Sequence, residues 1–162
     1  MQSKDSPLGE PVEAVIDAVL SASRVLVAVA ARSLSDVAEE VTLTQYRTLI
    51  VLASRGPQNL AGLAESVGVT PATATRMCDR LVKRELVARS AEQDDRRQIH
   101  LALTKKGLAL VTAVTKRRRH EIETIVNAIT IEDRAVLVQA LSRFAAAAGE
   151  VPEQDWSTGW DL

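Results

Sequence analysis

Between residues 70 and 107 the side chains able to meet a polyanion fall into two groups. The first is Thr70, Ala72, Thr73, Thr75, Arg76, Arg80 and Lys83. They alternate with Ala74, Met77, Cys78 and Leu81, whose three- and four-residue spacing makes one apolar face of a helix and leaves the first group towards solvent. Thr methyls and hydroxyls can meet base edges, Arg can bind guanine bidentately, and small residues let a helix sink close to a duplex. The second group is the charged turn Asp94-Asp95-Arg96-Arg97, set between two short strand-like runs, residues 86–91 and 98–104. In the latter Ile99, Leu101 and Leu103 alternate with Gln98, His100 and Ala102, as in a half-buried strand. A helix followed by a basic-tipped hairpin is the layout of a winged helix-turn-helix, with one element for a major groove and another for a minor groove.

Other chemistries find less support. The one cysteine excludes an internal disulfide framework and a multi-thiolate zinc site, and the two histidines, His100 and His120, stand apart from it. No Ser–His–Asp, Cys–His or carboxylate constellation has plausible spacing, and no glycine loop could cradle a phosphate. Neither an enzyme nor a cofactor is expected. A redox sensor acting through Cys78 is an alternative, but a thiol on or beside the inward face, away from fixed cations, is usually inert. The formal charge of −1 hides an asymmetry: residues 55–119 hold fourteen Lys and Arg against six Asp and Glu, and the remainder holds six against fifteen. A basic middle between acidic ends fits a nucleic-acid partner better than a winged helix used only for protein contacts.

The remaining elements must hold this unit in place. With 46% apolar but 2% aromatic residues, the core has to be aliphatic, and an alanine-rich chain of this kind favours helices. Apolar positions from Val12 to Ala30 recur at helical spacing over a stripe too wide for one small lobe, which implies a partner chain. Thr42 and Gln45 form a capping box for a helix with Tyr46, Leu49, Ile50 and Ala53 on one face, stopped by Gly56-Pro57. Asn59 caps a short helix over 60–67, and Gly68 ends it. Thr70-Pro71 then opens the helix described above.

Thr104 caps a long helix to about Ala128. The basic run Lys116–Arg119 inside it spans the whole helix circumference, so Arg117–Glu121 and Arg119–Glu123 pairing is expected rather than one shared partner. Thr130 caps a last helix to about Ala148, with Leu137, Leu141, Phe144 and Ala148 on one side. The acidic tail, 149–162, holds Trp156 and Trp160, which leave it either loose or docked. No apolar run reaches the length of a membrane span and the start lacks a signal core, so a cytoplasmic protein with no membrane partner is expected.

Residues 73–87 (TATRMCDRLVKRELV), then Asp95-Arg96-Arg97, then Thr104 to Gly107 resemble the MarR (multiple-antibiotic-resistance-regulator) family of winged helix transcription factors. The resemblance implies a mainly α fold with a small β-hairpin wing. It divides the chain into a helical dimerisation lobe (10–40 and 105–148), a winged helix-turn-helix DNA-binding lobe (41–104) and the tail. It implies a homodimer on a pseudo-palindromic double-stranded operator, with half-sites roughly 34 Å apart. At the wing, Arg97 would enter the minor groove, Asp95 would orient it, and Arg96 would reach phosphate. Function by resemblance is a repressor released when a small aromatic or lipophilic effector enters a cleft between the lobes. Tyr46, Arg47 and Arg32 could line such a cleft, but each has a structural role available, so the effector residues stay unassigned. One position departs from the family pattern: Glu85 stands where a glycine usually ends the recognition helix.

Overall fold

The computed structural model of the chain describes residues 11–37, 41–91 and 99–157. Helix α1 spans Val12–Leu34 and runs into a short 3-10 turn, Ser35–Val37. Then come α2 (Leu43–Arg55), β1 (Gln58–Asn59), α3 (Leu60–Val67) and α4 (Pro71–Lys83). The hairpin strands β2 (Val87–Ala91) and β3 (Ile99–Leu103) lead to α5 (Lys105–Val126) and α6 (Ile131–Ala147). A last 3-10 turn, Glu153–Asp155, lies in the segment after α6.

The helix starts follow local rules. At α2 the Thr42 amide donates to the Gln45 side chain at 2.9 Å while the Gln45 amide donates to the Thr42 hydroxyl at 3.3 Å, a complete capping box. Asn59, Thr70, Thr104 and Thr130 each accept an amide from the first turn of the helix they cap. Gly68 ends α3 in the left-handed region, at φ 73°.

The core is aliphatic. Tyr46, Leu49 and Leu52 of α2 meet Leu63 of α3, Met77 and Leu81 of α4, and Val111 and Val114 of α5, joined by Leu86, Val87 and Leu101 of the sheet. Gly107 marks the tightest contact: a Cβ there would lie 2.1 Å from the Leu86 carbonyl oxygen. Beside it Thr104 donates to the Glu85 carbonyl at 2.6 Å, and Lys106 to that of Arg84 at 3.0 Å. The first turn of α5 is therefore fastened to the corner that follows α4. Glu85 itself takes the left-handed conformation, φ 60°, that a glycine would adopt without cost.

Four expectations need correction. The sheet has three strands, not two: Gln58 and Asn59 pair with Leu101 and His100, which makes β3 central in the order β1-β3-β2. Two residues carry too little pattern to announce a strand. The arginines of α5 do not pair along their own helix. Arg117 meets Asp36 at 3.2 Å, Arg119 meets Glu153 at 2.8 Å, and Glu121 takes Arg32 at 2.6 Å, because oppositely charged elements pack alongside. The alternation of β3 is incomplete, since Leu101 is buried but Ile99 is exposed. Finally, Val12–Val37 is long and apolar enough, by length and composition alone, to cross a bilayer, because interleaved Ala and Val raise its mean hydropathy without a continuous run. Among the described residues α1 buries only Val29, Ser33 and Leu34, and α6 buries none.

Candidate nucleic-acid interface and cavity

Helix α4 separates its two faces cleanly. Ala74, Met77, Cys78 and Leu81 are buried, whereas Thr70, Ala72, Thr73, Thr75, Arg76, Arg80 and Lys83 are exposed. Its first turn is stiffened by its own side chains. The Thr70 hydroxyl accepts the Thr73 amide and donates to the Thr73 hydroxyl at 3.0 Å, and the Thr75 hydroxyl donates to the Pro71 carbonyl at 2.9 Å. With those protons used, Thr70 and Thr75 present methyls and acceptor lone pairs rather than free donors. The Arg76 Nε donates to the Ala72 carbonyl at 3.3 Å, which lays the side chain along the preceding turn of the helix. Asp79 pairs with Arg89 and so ties α4 to β2.

Thr73, Arg76 and Arg80 share a polar groove of about 370 Å³ with Thr42, Thr44 and Gln45 at the start of α2. Of these, Thr42 and Gln45 also form the capping box of α2. Asp95, Arg96 and Arg97 lie outside the described residues. Cys78 is buried under α4, and burial pushes its thiol pKa up, with Arg89 opposing and Asp79 assisting. A protonated, enclosed thiol is a poor nucleophile, which weighs against redox sensing. Among the described residues no group of His, Cys, Asp and Glu could hold a metal ion.

A cavity of about 610 Å³ opens between α1, α2, α5 and the segment after α6. Its volume suits a small organic molecule. Tyr46 lies in its wall, with its hydroxyl 3.2 Å from that of Thr115. Burial raises the Tyr46 pKa, partly offset by that hydrogen bond and by Arg118. The Arg118 guanidinium stands 5.5 Å from the Tyr46 ring centroid, a cation–π distance, and its buried Nε has no hydrogen-bond partner among the described residues. Arg47, by contrast, is held by both oxygens of Glu150, at 3.0 and 2.6 Å.

Tyr46 and Arg47 thus line the cavity, whereas Arg32 lies elsewhere, paired with Glu121. Arg118, Glu150 and Trp156 were missed as lining residues. A signal for Arg118 existed: it falls three and seven residues after Thr115 and Val111, as Arg117 does after Val114 and Leu110, so these two of the four basic residues continue the buried stripe of α5.

A model of the MarR family matches residues 41–99. The HTH-type transcriptional repressor NicR of Pseudomonas putida is 31% identical over 104 residues, which cover 64% of this chain and 66% of NicR. The crystal structure of RV1404 from Mycobacterium tuberculosis superposes with a TM-score of 0.80 at 45% identity, covering 89% of this chain and 98% of that one. A likeness of fold alone extends to BpsR of Bordetella bronchiseptica, whose DNA binding is regulated by 6-hydroxynicotinic acid. There the TM-score is 0.61 at 24% identity, over 81% and 98% of the two chains.

Proposed function

The chain belongs to the MarR family of transcriptional regulators, and from that premise we propose that it is a cytoplasmic homodimeric repressor that leaves its operator when a small aromatic or lipophilic molecule fills the cavity beside Tyr46. The observation that carries DNA binding is the division of α4 into a buried apolar face and a continuous exposed row from Thr70 to Lys83. In the proposal Thr73, Thr75 and Arg76 read bases, Arg80 and Lys83 reach phosphate, and Asp95, Arg96 and Arg97 form the wing contact. Residues 41–104 make the DNA-binding lobe, and 10–40 with 105–148 the dimerisation lobe.

The exposed apolar residues of α1 and α6 support the dimer. Val12, Val15, Ile16 and Leu20 share one exposed side of α1, and Ile131, Val136, Leu141 and Phe144 are exposed on α6, apolar surface that a second copy would cover. The effector acts by shifting populations: it favours a dimer whose two α4 helices no longer match successive major grooves. Arg118, with a buried donor free, suits an acidic substituent on that effector. The test is a binding titration of the full chain on the DNA upstream of its own gene. Affinity is expected to fall roughly 10³-fold or more between 50 and 200 mM salt, as phosphate contacts require. A flat curve, or no preference for that DNA over a scrambled duplex, would refute the reading.

A further inference from the structure

The segment after α6 belongs to the cavity and to the helix-turn-helix at once. Gly149 turns out of α6 with φ 71°. Glu150, Val151, Glu153 and Trp156 then form one wall of the cavity. Trp156 is buried in the main core, and its indole N–H donates to the Val151 carbonyl at 3.1 Å, which folds the segment back on itself. Four sets of polar contacts hold it from outside. Arg47 grips Glu150, and Arg119 meets Glu153. Ser157 caps the end of α2, its amide donating to the Ser54 carbonyl and its hydroxyl to that of Ala53, both at 3.1 Å. Arg55 donates to the Gly149 carbonyl at 2.9 Å and, with its other amino group, to the Ser66 hydroxyl of α3 at 3.1 Å.

We propose that residues 149–157 are the strap through which cavity occupancy reaches the DNA reader. The proposal rests on the reading of α4 and the cavity given above. A molecule in the cavity competes with the packed wall around Trp156. Displacing that wall loosens Ser157 from the last carbonyls of α2 and Gly149 from Arg55. Arg55 is shared with α3, and α3 packs on α4, so the loss is passed directly to the reading helix. The strap is thus a positioning element, and Trp156 is its anchor. The charges leave the strap fixed without a ligand: Arg47 pairs with Glu150 and Arg119 with Glu153, whereas the buried Nε of Arg118, elsewhere in the cavity lining, has no hydrogen-bond partner among the described residues.

The test uses the full chain without any added ligand. Trp156→Ala should imitate occupancy, weakening operator binding at least ten-fold while the protein still melts cooperatively. Trp156→Phe, which keeps an aromatic anchor, should stay within about three-fold. Amide hydrogen exchange supplies the readout that general destabilisation would not give. In Trp156→Ala, exchange should accelerate in residues 149–157 and 60–67 and stay unchanged in 12–34. If Trp156→Ala does not fold, the surface variant Arg55→Met cuts the strap from α3 without opening the core, and should accelerate exchange in 60–67. Unchanged exchange in 60–67 in whichever variant folds would overturn the strap. Wild-type protein that binds no upstream DNA would instead defeat the functional reading, while the exchange experiment would still judge the strap.

Discussion

Helix α4 and the cavity are both built around a few arginines, but they are assembled in different ways. Everything α4 presents comes from one helix turn after another: a Thr cap, a proline at the first position, an apolar row beneath and a polar row above. The cavity draws Tyr46 and Arg47 from α2, Thr115 and Arg118 from α5, and Trp156 from the far end of the described chain. On α4 the arginines are exposed, and in the proposed function their partner is external. In the cavity one arginine is spent on Glu150, and another, half-buried, has a buried Nε without a hydrogen-bond partner among the described residues. A surface reader can thus be specified by local period, whereas a pocket is specified by which distant segments come to share a wall.

Four substitutions probe that contrast, in falling order of expected effect. Gly107→Ala strikes the seam common to both regions, because it wedges a methyl against the Leu86 carbonyl at the corner between α4 and α5. A loss of about 3 kcal/mol in denaturant unfolding is expected, as for severe overpacking. An unchanged midpoint would mean that the seam relaxes freely. Arg76→Ala should cost about 1–3 kcal/mol of operator affinity, concentrated at one base pair, with the melt unaltered. Equal losses on every operator variant would reduce Arg76 to a phosphate contact.

Tyr46→Phe removes the hydroxyl contact with Thr115 and should cost about 1 kcal/mol of stability. It also carries a pH signature. Tyr46 and Cys78 hold their protons to higher pH when folded than when unfolded, from ordinary values of 10.0 and 9.0. Stability from both is therefore complete below about pH 9 and falls as pH rises beyond it. In Tyr46→Phe the alkaline decline should be shallower, and a decline identical to wild type would deny the buried phenol its part. Glu85→Gly should add about 0.5–1 kcal/mol by relieving a left-handed glutamate, measured as a raised melting temperature. A lowered one would show that the Glu85 side chain contributes more than its backbone costs.

The caps explain why so much of the fold was readable. Thr42, Asn59, Thr70, Thr104 and Thr130 act within three residues of themselves, and each opens the helix its sequence announces. The exposed row of α4 was readable for the same reason. Three things were not. The pairing of β1 with β3 depends on residues far apart and on a strand of only two. The partners of Arg117 and Arg119 are set by how α1 and the final segment pack on α5, not by the helix's own spacing. And the docking of Trp156 depends on a site made by α2, α5 and the strap together, although its rarity in an aromatic-poor chain marked it as a residue to explain.

The central position of β3 bears on how the chain is made. Until Leu101 and His100 are available, Gln58 and Asn59 have no strand to pair with. A nascent chain can form α2, α3 and α4 as they leave the ribosome, but their sheet closes only once the return strand of the hairpin has emerged. Long-range pairing of this kind is slow relative to helix formation. During synthesis, then, the residues of the reading helix have emerged while the central strand of the sheet is still absent, and the interval is timed by translation of the hairpin.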